Sequence, residues 1–147
     1  TRGNYNENSP AWSPDGKSIA FVSNRSAEPD RNENSDIWIM DARPMAPARQ
    51  LTTWTGSDAQ PRWSPDGKSI AYLQSTSPEK YMMYDQSILA VIPSAGGTPR
   101  LLTQSLDRPV SQVTWEKDGS ALAFLVSDEA SYITGTELVV DGGLLAV

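Results

Sequence analysis

One stretch of the chain places oxygen-bearing side chains at a spacing that could bind a metal ion. They recur at every second position, and an acidic residue follows at the twelfth, as in a calcium-binding loop. The residues are Asp30, Asn32, Asn34, Asp36 and Asp41. The glycine that such a loop needs at its sixth position is replaced by Ser35. Residues 36–41 also have the apolar composition of a β-strand, so we predict a solvated loop rather than a metal site.

The side chains that most hydrolytic and metal enzymes use are missing. The chain of 147 residues contains no Cys and no His. This excludes a disulfide framework, a thiolate nucleophile, a Ser-His-Asp triad and zinc held by cysteine or histidine. A Gly-x-Ser-x-Gly nucleophile motif is also absent. We therefore predict no catalytic residue, no cofactor-binding residue and no metal ligand, and hence no enzyme activity from this chain's own residues.

Charge and hydropathy narrow the class of partner. The formal net charge is −6, which disfavours a nucleic-acid backbone or an anionic membrane surface as a partner. The sequence has no apolar run long enough for a membrane-spanning helix. Apolar residues make up 38% and charged residues 20% of the chain, a balance typical of a globular β-protein rather than of disorder.

The elements that must position any functional residue are set by an internal repeat. The nonapeptide WSPDGKSIA occupies residues 12–20 and recurs without change at residues 63–71, 51 positions later. A degenerate copy, WEKDGSALAF, follows at residues 115–124. A period of about 50 residues is typical of propellers and other repeat arrays. No segment shows a sustained helical period, which excludes a helical solenoid.

Each copy predicts a β-hairpin. Ser-Pro-Asp-Gly is a turn sequence in which proline presets φ, aspartate bonds to the local backbone and glycine accepts a positive φ. β-forming residues flank it, so we predict hairpins at residues 10–23, 61–73 and 113–126. Further strands are expected at 35–41 and, 51 positions on, at 86–92. The units close on Arg49–Thr52 and Arg100–Thr103.

Four short strands per unit predict an all-β propeller segment of nearly three four-stranded antiparallel blades. Trp12, Trp63 and Trp115 recur once per unit, and we predict that all three are core residues packed between blades. The loop 26–35 is interpreted as a solvated insertion. The loop 75–84, which carries methionines and tyrosines, is expected to pack against a neighbouring blade or domain.

The hairpin motif Pro-x-Trp-Ser-Pro-Asp-Gly-Lys-x-Ile-Ala-Phe/Tyr resembles two groups of blades. One is the periplasmic propeller protein of the Tol system. The other is the N-terminal propeller of prolyl oligopeptidase-family serine peptidases, particularly their acylaminoacyl- and dipeptidyl-peptidase-like members. Four further stretches favour the second group, and the resemblance covers residues 1–126. They are Tyr5–Trp12, Pro29–Asp41, Arg49–Trp54 and Leu106–Ser111.

The resemblance implies a propeller that caps an α/β-hydrolase domain and screens peptide substrates without taking part in catalysis. The implied partners are a peptide or a missing hydrolase domain. The Tol-like alternative is a protein-interaction propeller. Fewer than three blades would leave strand edges and apolar faces exposed, since closed propellers have about four to eight. We therefore also expect the chain to associate with itself, and a ring completed by two copies is one such assembly.

Residues 127–147 depart from the repeat. The strings SYITG at 131–135 and VDGG at 140–143 resemble the C-terminus of short-chain dehydrogenases. This implies a foreign tail, and it suggests an oxidoreductase fragment as a third alternative, although the Tyr-x-x-x-Lys motif and the phosphate loop of those enzymes are absent. One hypothesis is that residues 137–141 form a strand that pairs with residues 121–126, after a turn at Thr134–Gly135. The alternative is a tail that is disordered or pairs with a partner.

Overall fold

The computed structural model describes residues 5–77 and 85–126 and the backbone of residues 134–139. Within these ranges the chain forms three antiparallel β-sheets, and its only helix is a single 3-10 turn at Pro29–Arg31. Over the same ranges there is no helix with the length and apolar character needed to cross a membrane. The all-β fold of open, blade-like sheets predicted from the repeat is confirmed.

Each sheet is one blade, and its strands follow one another in chain order. Blade 1 contains β1 (Glu7–Trp12), β2 (Ser18–Ser23), β3 (Asp36–Asp41) and β4 (Ala48–Gln50). Blade 2 contains β5 (Asp58–Trp63), β6 (Ser69–Ser75), β7 (Ser87–Pro93) and β8 (Arg100–Leu101). Blade 3 contains β9 (Val110–Trp115), β10 (Ala121–Val126) and β11 (Thr134–Val139). β1 contacts β5 and β5 contacts β9, so the first strands of successive blades lie side by side.

The Ser-Pro-Asp-Gly turns are held by their own side chains. In the first turn, Asp15 Oδ1 accepts hydrogen bonds from Ser13 Oγ at 2.7 Å and from the Lys17 amide at 3.0 Å. Ser13 Oγ in turn accepts from the Ser18 amide at 2.9 Å. Gly16 has a φ of 70°, which is unfavourable for a residue with a Cβ. The side chain of Asp15 therefore closes the turn that aligns β1 with β2.

The other two turns reuse this device with one variation. Ser64 and Asp66 make the same bonds in the second turn. In the third turn Glu116 stands where serine would be, and Ser120 donates to Asp118 from both its amide and its hydroxyl, at 2.9 and 2.6 Å. The third hairpin therefore keeps the aspartate-centred turn although its sequence has diverged.

Packing between blades follows from strand alternation. Successive side chains of a strand point to opposite faces of the sheet. In β6, Ile70 and Tyr72 pack against blade 1, whereas Ala71 and Leu73 pack against blade 3. All four side chains are buried. The middle blade thus uses both of its faces, and this is why its second strand reads as a continuous apolar run.

The recurring tryptophans join neighbouring blades by hydrogen bonds. Trp63 Nε1 donates to the carbonyl of Ala11 in blade 1 at 3.0 Å, and Trp115 Nε1 donates to the carbonyl of Arg62 in blade 2 at 3.0 Å. Both indoles are partly buried against the inter-blade cores. Trp12 is 61% exposed, so the prediction that it is a core residue is wrong. No blade precedes it within the described residues.

The third strands of blades 1 and 2 correspond at a spacing of 52 residues, whereas the sequence analysis predicted 51. Phe21 pairs with Trp38, and its counterpart Tyr72 pairs with Ala90. Trp38 therefore corresponds to Ala90, which is 52 positions later rather than 51. The connection before the third strand is one residue longer in the second unit, and a shift of one residue exchanges the two faces of a strand.

The third strand of blade 3 comes from the divergent tail. β11 pairs antiparallel with the whole of β10, from Ala121 opposite Val139 to Val126 opposite Thr134. It begins at Thr134, where the sequence analysis placed a turn, and it ends at Val139 rather than at 141. The segments 127–133 and 140–147, which hold most of the dehydrogenase-like strings, lie outside the described residues.

Replacing Trp63 by alanine tests the inter-blade role of the recurring tryptophan. Loss of a buried tryptophan costs roughly 3–5 kcal/mol. Since Trp63 is partly buried, we expect the Trp63→Ala variant to lose stability near the lower end of that range. Trp12→Ala is the matched control at protein concentrations low enough to keep the chain monomeric, and we expect a change within about 0.5 kcal/mol because this indole is exposed in the monomer. Thermal or urea unfolding measures both, and equal losses would contradict the assignment.

Candidate functional site

The residues with calcium-loop spacing do not converge on one point. Asn32 Oδ1 accepts hydrogen bonds from Asn24 Nδ2 at 2.7 Å and from the Asn34 amide at 3.1 Å, which ties the loop to itself. Asp36 enters β3 and is buried, while Asp41 at the other end of β3 pairs with Arg43. In residues 5–77 and 85–126 no three or more acidic side chains lie close enough together to hold a metal ion.

The second long loop is described only at its two ends. Asp85 Oδ1 accepts hydrogen bonds from the amides of Thr76 and Ser77, at 2.8 and 3.0 Å, and so joins the start of the loop to its end. The methionines and tyrosines predicted to pack against a neighbouring blade or domain occupy residues 81–84, which lie outside the described residues.

A group of oxygen-bearing side chains lies between blades 1 and 2, and we call it the oxygen cluster. Blade 1 contributes Asp36 at the start of β3 and the connecting segment after β4 contributes Thr52. Blade 2 contributes Asp58 at the start of β5, together with Tyr72 and Gln74 on β6. Asp58 is directly opposite Gln74 in the pairing of these two strands. The cluster therefore depends on both blades.

The two carboxyl groups of the oxygen cluster have different surroundings. Asp36 is hydrogen-bonded, because its Oδ2 accepts from Gln50 Nε2 at 2.9 Å and its Oδ1 accepts from Thr52 Oγ1 at 3.4 Å. Asp58 is 0% exposed, yet neither of its carboxyl oxygens has a hydrogen-bond partner among the described residues. Gln74 Oε1 is likewise buried without a partner there. Such groups are costly unless something else satisfies them.

A cavity adjoins these unsatisfied oxygens. It has a volume of about 170 Å³, and Thr52, Asp58, Tyr72 and Gln74 form its polar wall. Its apolar wall includes Trp54. One water molecule needs roughly 10–15 Å³ of such space, so the cavity is large enough for a small hydrated ligand.

Burial dominates the electrostatics of the oxygen cluster. Burial raises the pKa of Asp58 to about 7, although the neighbouring Thr52 hydroxyl opposes this, and the nearby carboxyl of Asp36 raises the pKa further. Burial also raises the pKa of Asp36 to about 6, although the hydrogen bonds from Thr52 and Gln50 oppose this. The pKa of the Tyr72 hydroxyl is raised above its ordinary value by burial and by both carboxyls. Around neutral pH the cluster therefore gains negative charge at a high energetic cost.

A second, more open cavity lies where the turns of blades 1 and 2 meet. It has a volume of about 650 Å³, and its wall includes Asp15, Asp41, Arg49 and Asp66. Arg49 of blade 1 donates to the carbonyl of Ser94 in blade 2. Hydrogen bonds within the turns hold the pKa values of Asp15 and Asp66 below their usual range. This surface can attract a cationic or amide-bearing ligand, but it offers no activated nucleophile.

Sequence reasoning did not identify Asp58, Thr52 or Gln74 as a group. The sequence analysis gives Asp58 no role and treats Thr52 only as part of the segment on which the first unit closes. The repeat itself contains the signal. Asp58 lies five residues before Trp63, and Val110 lies five residues before Trp115, so the two residues occupy the same position in successive blades. A polar residue at a position where another repeat has an apolar residue indicates a candidate binding site.

Three comparisons with known proteins bear on this arrangement. Residues 1–139 match the family model described as the TolB beta propeller domain, PD40. Dipeptidyl-peptidase 5 of Porphyromonas gingivalis is 32% identical over 122 residues, covering 82% of this chain and 18% of the relative. The matched part of this chain thus spans less than a fifth of that relative's length.

Among solved structures, TolB from Acinetobacter baumannii has a TM-score of 0.66 at 21% identity, covering 92% of this chain and 30% of that one. A structure from a study of two prolyl endopeptidases has a TM-score of 0.72 at 16% identity, covering 98% of this chain and 21% of that one. At these identities the likeness shows the fold, which is that of a propeller found both in Tol proteins and in peptidases.

The raised pKa values predict an unusual pH dependence of stability. An aspartate in the unfolded chain titrates near pH 3.9, so above that pH the folded state binds more protons than the unfolded state at Asp36 and Asp58. Their favourable contribution is complete below about pH 4 and is lost as the pH rises through about 6 and 7. In metal-free buffer we expect the melting temperature to fall between about pH 5 and pH 8.

Asp58→Asn removes the more strongly shifted group. We expect the melting temperature of this variant to fall much less between pH 5 and pH 8. The pKa shift of Asp58 corresponds to a few kcal/mol of pH-dependent stability, which the variant no longer has. Asp41→Asn, at an exposed carboxyl on blade 1, should keep the fall in melting temperature. Calorimetry at a series of pH values tests the prediction, and a wild-type melting temperature that rises from pH 5 to pH 8 would contradict it.

Proposed function

The chain belongs to the TolB β-propeller domain family, and from this premise we propose that it is a non-catalytic propeller segment of a prolyl oligopeptidase-like serine peptidase. Its role is to bind peptide and to restrict access to a hydrolase domain. The observation that carries the proposal is the match of 82% of the chain to dipeptidyl-peptidase 5 at 32% identity. The absence of His and Cys from the sequence agrees with a role in which another domain performs the chemistry.

The open cavity where the turns of blades 1 and 2 meet, which we call the turn-side cavity, supports peptide binding. Asp15, Asp41 and Asp66 present carboxylates beside Arg49 on one surface, a combination that can hold both charged ends or amide groups of a peptide. The surface is wide and formed by two blades, so it can contact an extended chain. This suits screening better than a deep pocket for one small molecule would.

A segment exchange tests the peptidase assignment. Residues 5–126 would replace the matching segment in dipeptidyl-peptidase 5 of P. gingivalis. We expect the chimera to keep hydrolysing a short chromogenic dipeptide substrate and to change its preference between short and long peptides, because the exchanged blades would form part of the entry route. Circular dichroism and gel filtration would confirm that each chimera folds.

The matched control carries the corresponding blades of A. baumannii TolB. If both chimeras fold and show the same substrate preference as the parent, the segment does not contribute to screening and the proposal fails. That result would favour the second candidate, a Tol-like protein-interaction propeller, which the structural likeness to TolB supports.

We also propose that the isolated chain associates with itself through the two outer blades. Ile19 and Met40 on blade 1 are only half-buried, whereas their counterparts Ile70 and Ile92 are 0% and 1% exposed because blade 1 covers them. On the far side of blade 3, Leu125 is also half-buried, whereas its counterpart Leu73 is buried. Blade 3 of one copy can therefore cover blade 1 of the next, reproducing an interface that the chain already contains.

Sedimentation velocity tests the self-association. Two copies with three blades each would give six, within the range of about four to eight that closed propellers have. We expect dimers or larger assemblies at micromolar concentration, and we expect Ile19→Glu and Leu125→Glu each to shift the population to monomers. Lys17→Glu, in an exposed turn, is the control and should leave the assembly intact. A wild-type chain that sediments as a single monomer would refute the proposal.

A further inference from the structure

The oxygen cluster is specific to one of two equivalent interfaces. The pairings of β5 with β6 and of β9 with β10 place Trp63 opposite Ile70 and Trp115 opposite Leu122. Residues in blade 3 therefore correspond to those 52 positions earlier in blade 2, and Asp58, Tyr72 and Gln74 correspond to Val110, Phe124 and Val126. The counterpart of Asp36 in the next blade is Ile88, since Ser23 pairs with Asp36 and Gln74 pairs with Ile88.

Every one of these counterparts is apolar. Ile88, Val110, Phe124 and Val126 are all buried, and the last three belong to the core between blades 2 and 3. Thr103, the counterpart of Thr52, is retained and accepts a hydrogen bond from the Leu89 amide at 2.8 Å, as Thr52 does from the Ile37 amide at 2.9 Å. Blade packing thus needs the threonine but not the carboxyls, the amide or the phenol.

The charges of the oxygen cluster have no counterion in the part of the chain that the structure describes. Among the described residues neither Asp36 nor Asp58 forms an ion pair with a lysine or an arginine. Buried carboxylates are normally paired with cations or bound to metals, because removing an isolated charge from water is costly. Asp58 is 0% and Gln74 6% exposed, and both line the cavity with oxygens that have no partner there.

We propose that the cavity between blades 1 and 2 binds a hard, oxygen-coordinated cation of the calcium class. The side chains present are carboxylate, amide and hydroxyl oxygens, which are the ligands that Ca²⁺ prefers. Asp58 and Gln74 bind the ion directly, and the negative charge of Asp36 complements its second positive charge. The remaining coordination positions are taken by water, for which the cavity of about 170 Å³ has room. The ion joins the two blades because its ligands belong to blade 2 while Asp36 and Thr52 belong to blade 1.

Terbium luminescence tests this site in the full chain. Tb³⁺ substitutes for Ca²⁺, and Trp54 in the cavity wall can sensitise its emission when the indole is excited. We expect saturable emission from the wild type that Ca²⁺ reverses. Asp58→Val, which copies the residue of the second interface, should weaken terbium binding by roughly tenfold or more. Asp58→Asn, which keeps the shape of the side chain, should do the same and covers the case in which the valine variant fails to fold.

Two further measurements make the result decisive. Asp41→Asn removes a carboxylate from the turn-side cavity near Trp63, where a cation can also bind, so it should remove only the emission that arises there and leave the emission that depends on Asp58. At about pH 8, where both cluster carboxyls are ionised, Ca²⁺ should raise the melting temperature of the wild type but not that of Asp58→Asn. The proposal is overturned if the wild type gives no saturable emission, if Asp58→Val binds terbium as well as the wild type, or if Asp41→Asn abolishes the signal. It also fails if the melting temperature responds to protons and not to Ca²⁺.

Discussion

Burial of each blade on both faces is the constraint on which the rest of this structure depends. A twisted four-stranded sheet has two apolar faces only if both are covered. The middle blade achieves this because alternate residues of β6 contact different neighbours. The aspartate-centred turns fix the pairing of the first two strands, and thereby which residues face which neighbour. An indole hydrogen bond from each later blade to the preceding one then fixes how the blades are placed side by side.

Against this background the interface between blades 1 and 2 is unusual because it contains two buried carboxyls. A chain that needs only stable packing has the solution already, since the next interface uses isoleucine, valine and phenylalanine at the same positions. Replacing buried charged groups by well-packed apolar side chains is often neutral or stabilising. The polar version of the interface is therefore better explained by something that binds to it than by the needs of the fold.

Much of the fold could be predicted from the sequence, because an exact nonapeptide repeat gives both the turn chemistry and the period. The hairpins and the strand content followed from local rules that apply within about ten residues. The alignment of the third strand did not, since one additional residue in the preceding connection is invisible until the strands pair. The exposure of Trp12 was missed for a related reason. Its type and spacing equal those of Trp63, and only the presence of a preceding blade makes an indole at this position part of a core.

The candidate site was harder to predict because its members are distant in sequence and belong to different repeats. Asp36, Thr52 and Gln74 meet only after two blades have packed, and nothing in the composition of each segment marks it as functional. β11 is an example of the opposite case. Its backbone pairs along the full length of β10 although its sequence does not follow the repeat, because strand pairing needs only extended residues of suitable length. Architecture in this chain is therefore specified by pattern, whereas a binding site between blades is specified by the few positions at which one repeat departs from the next.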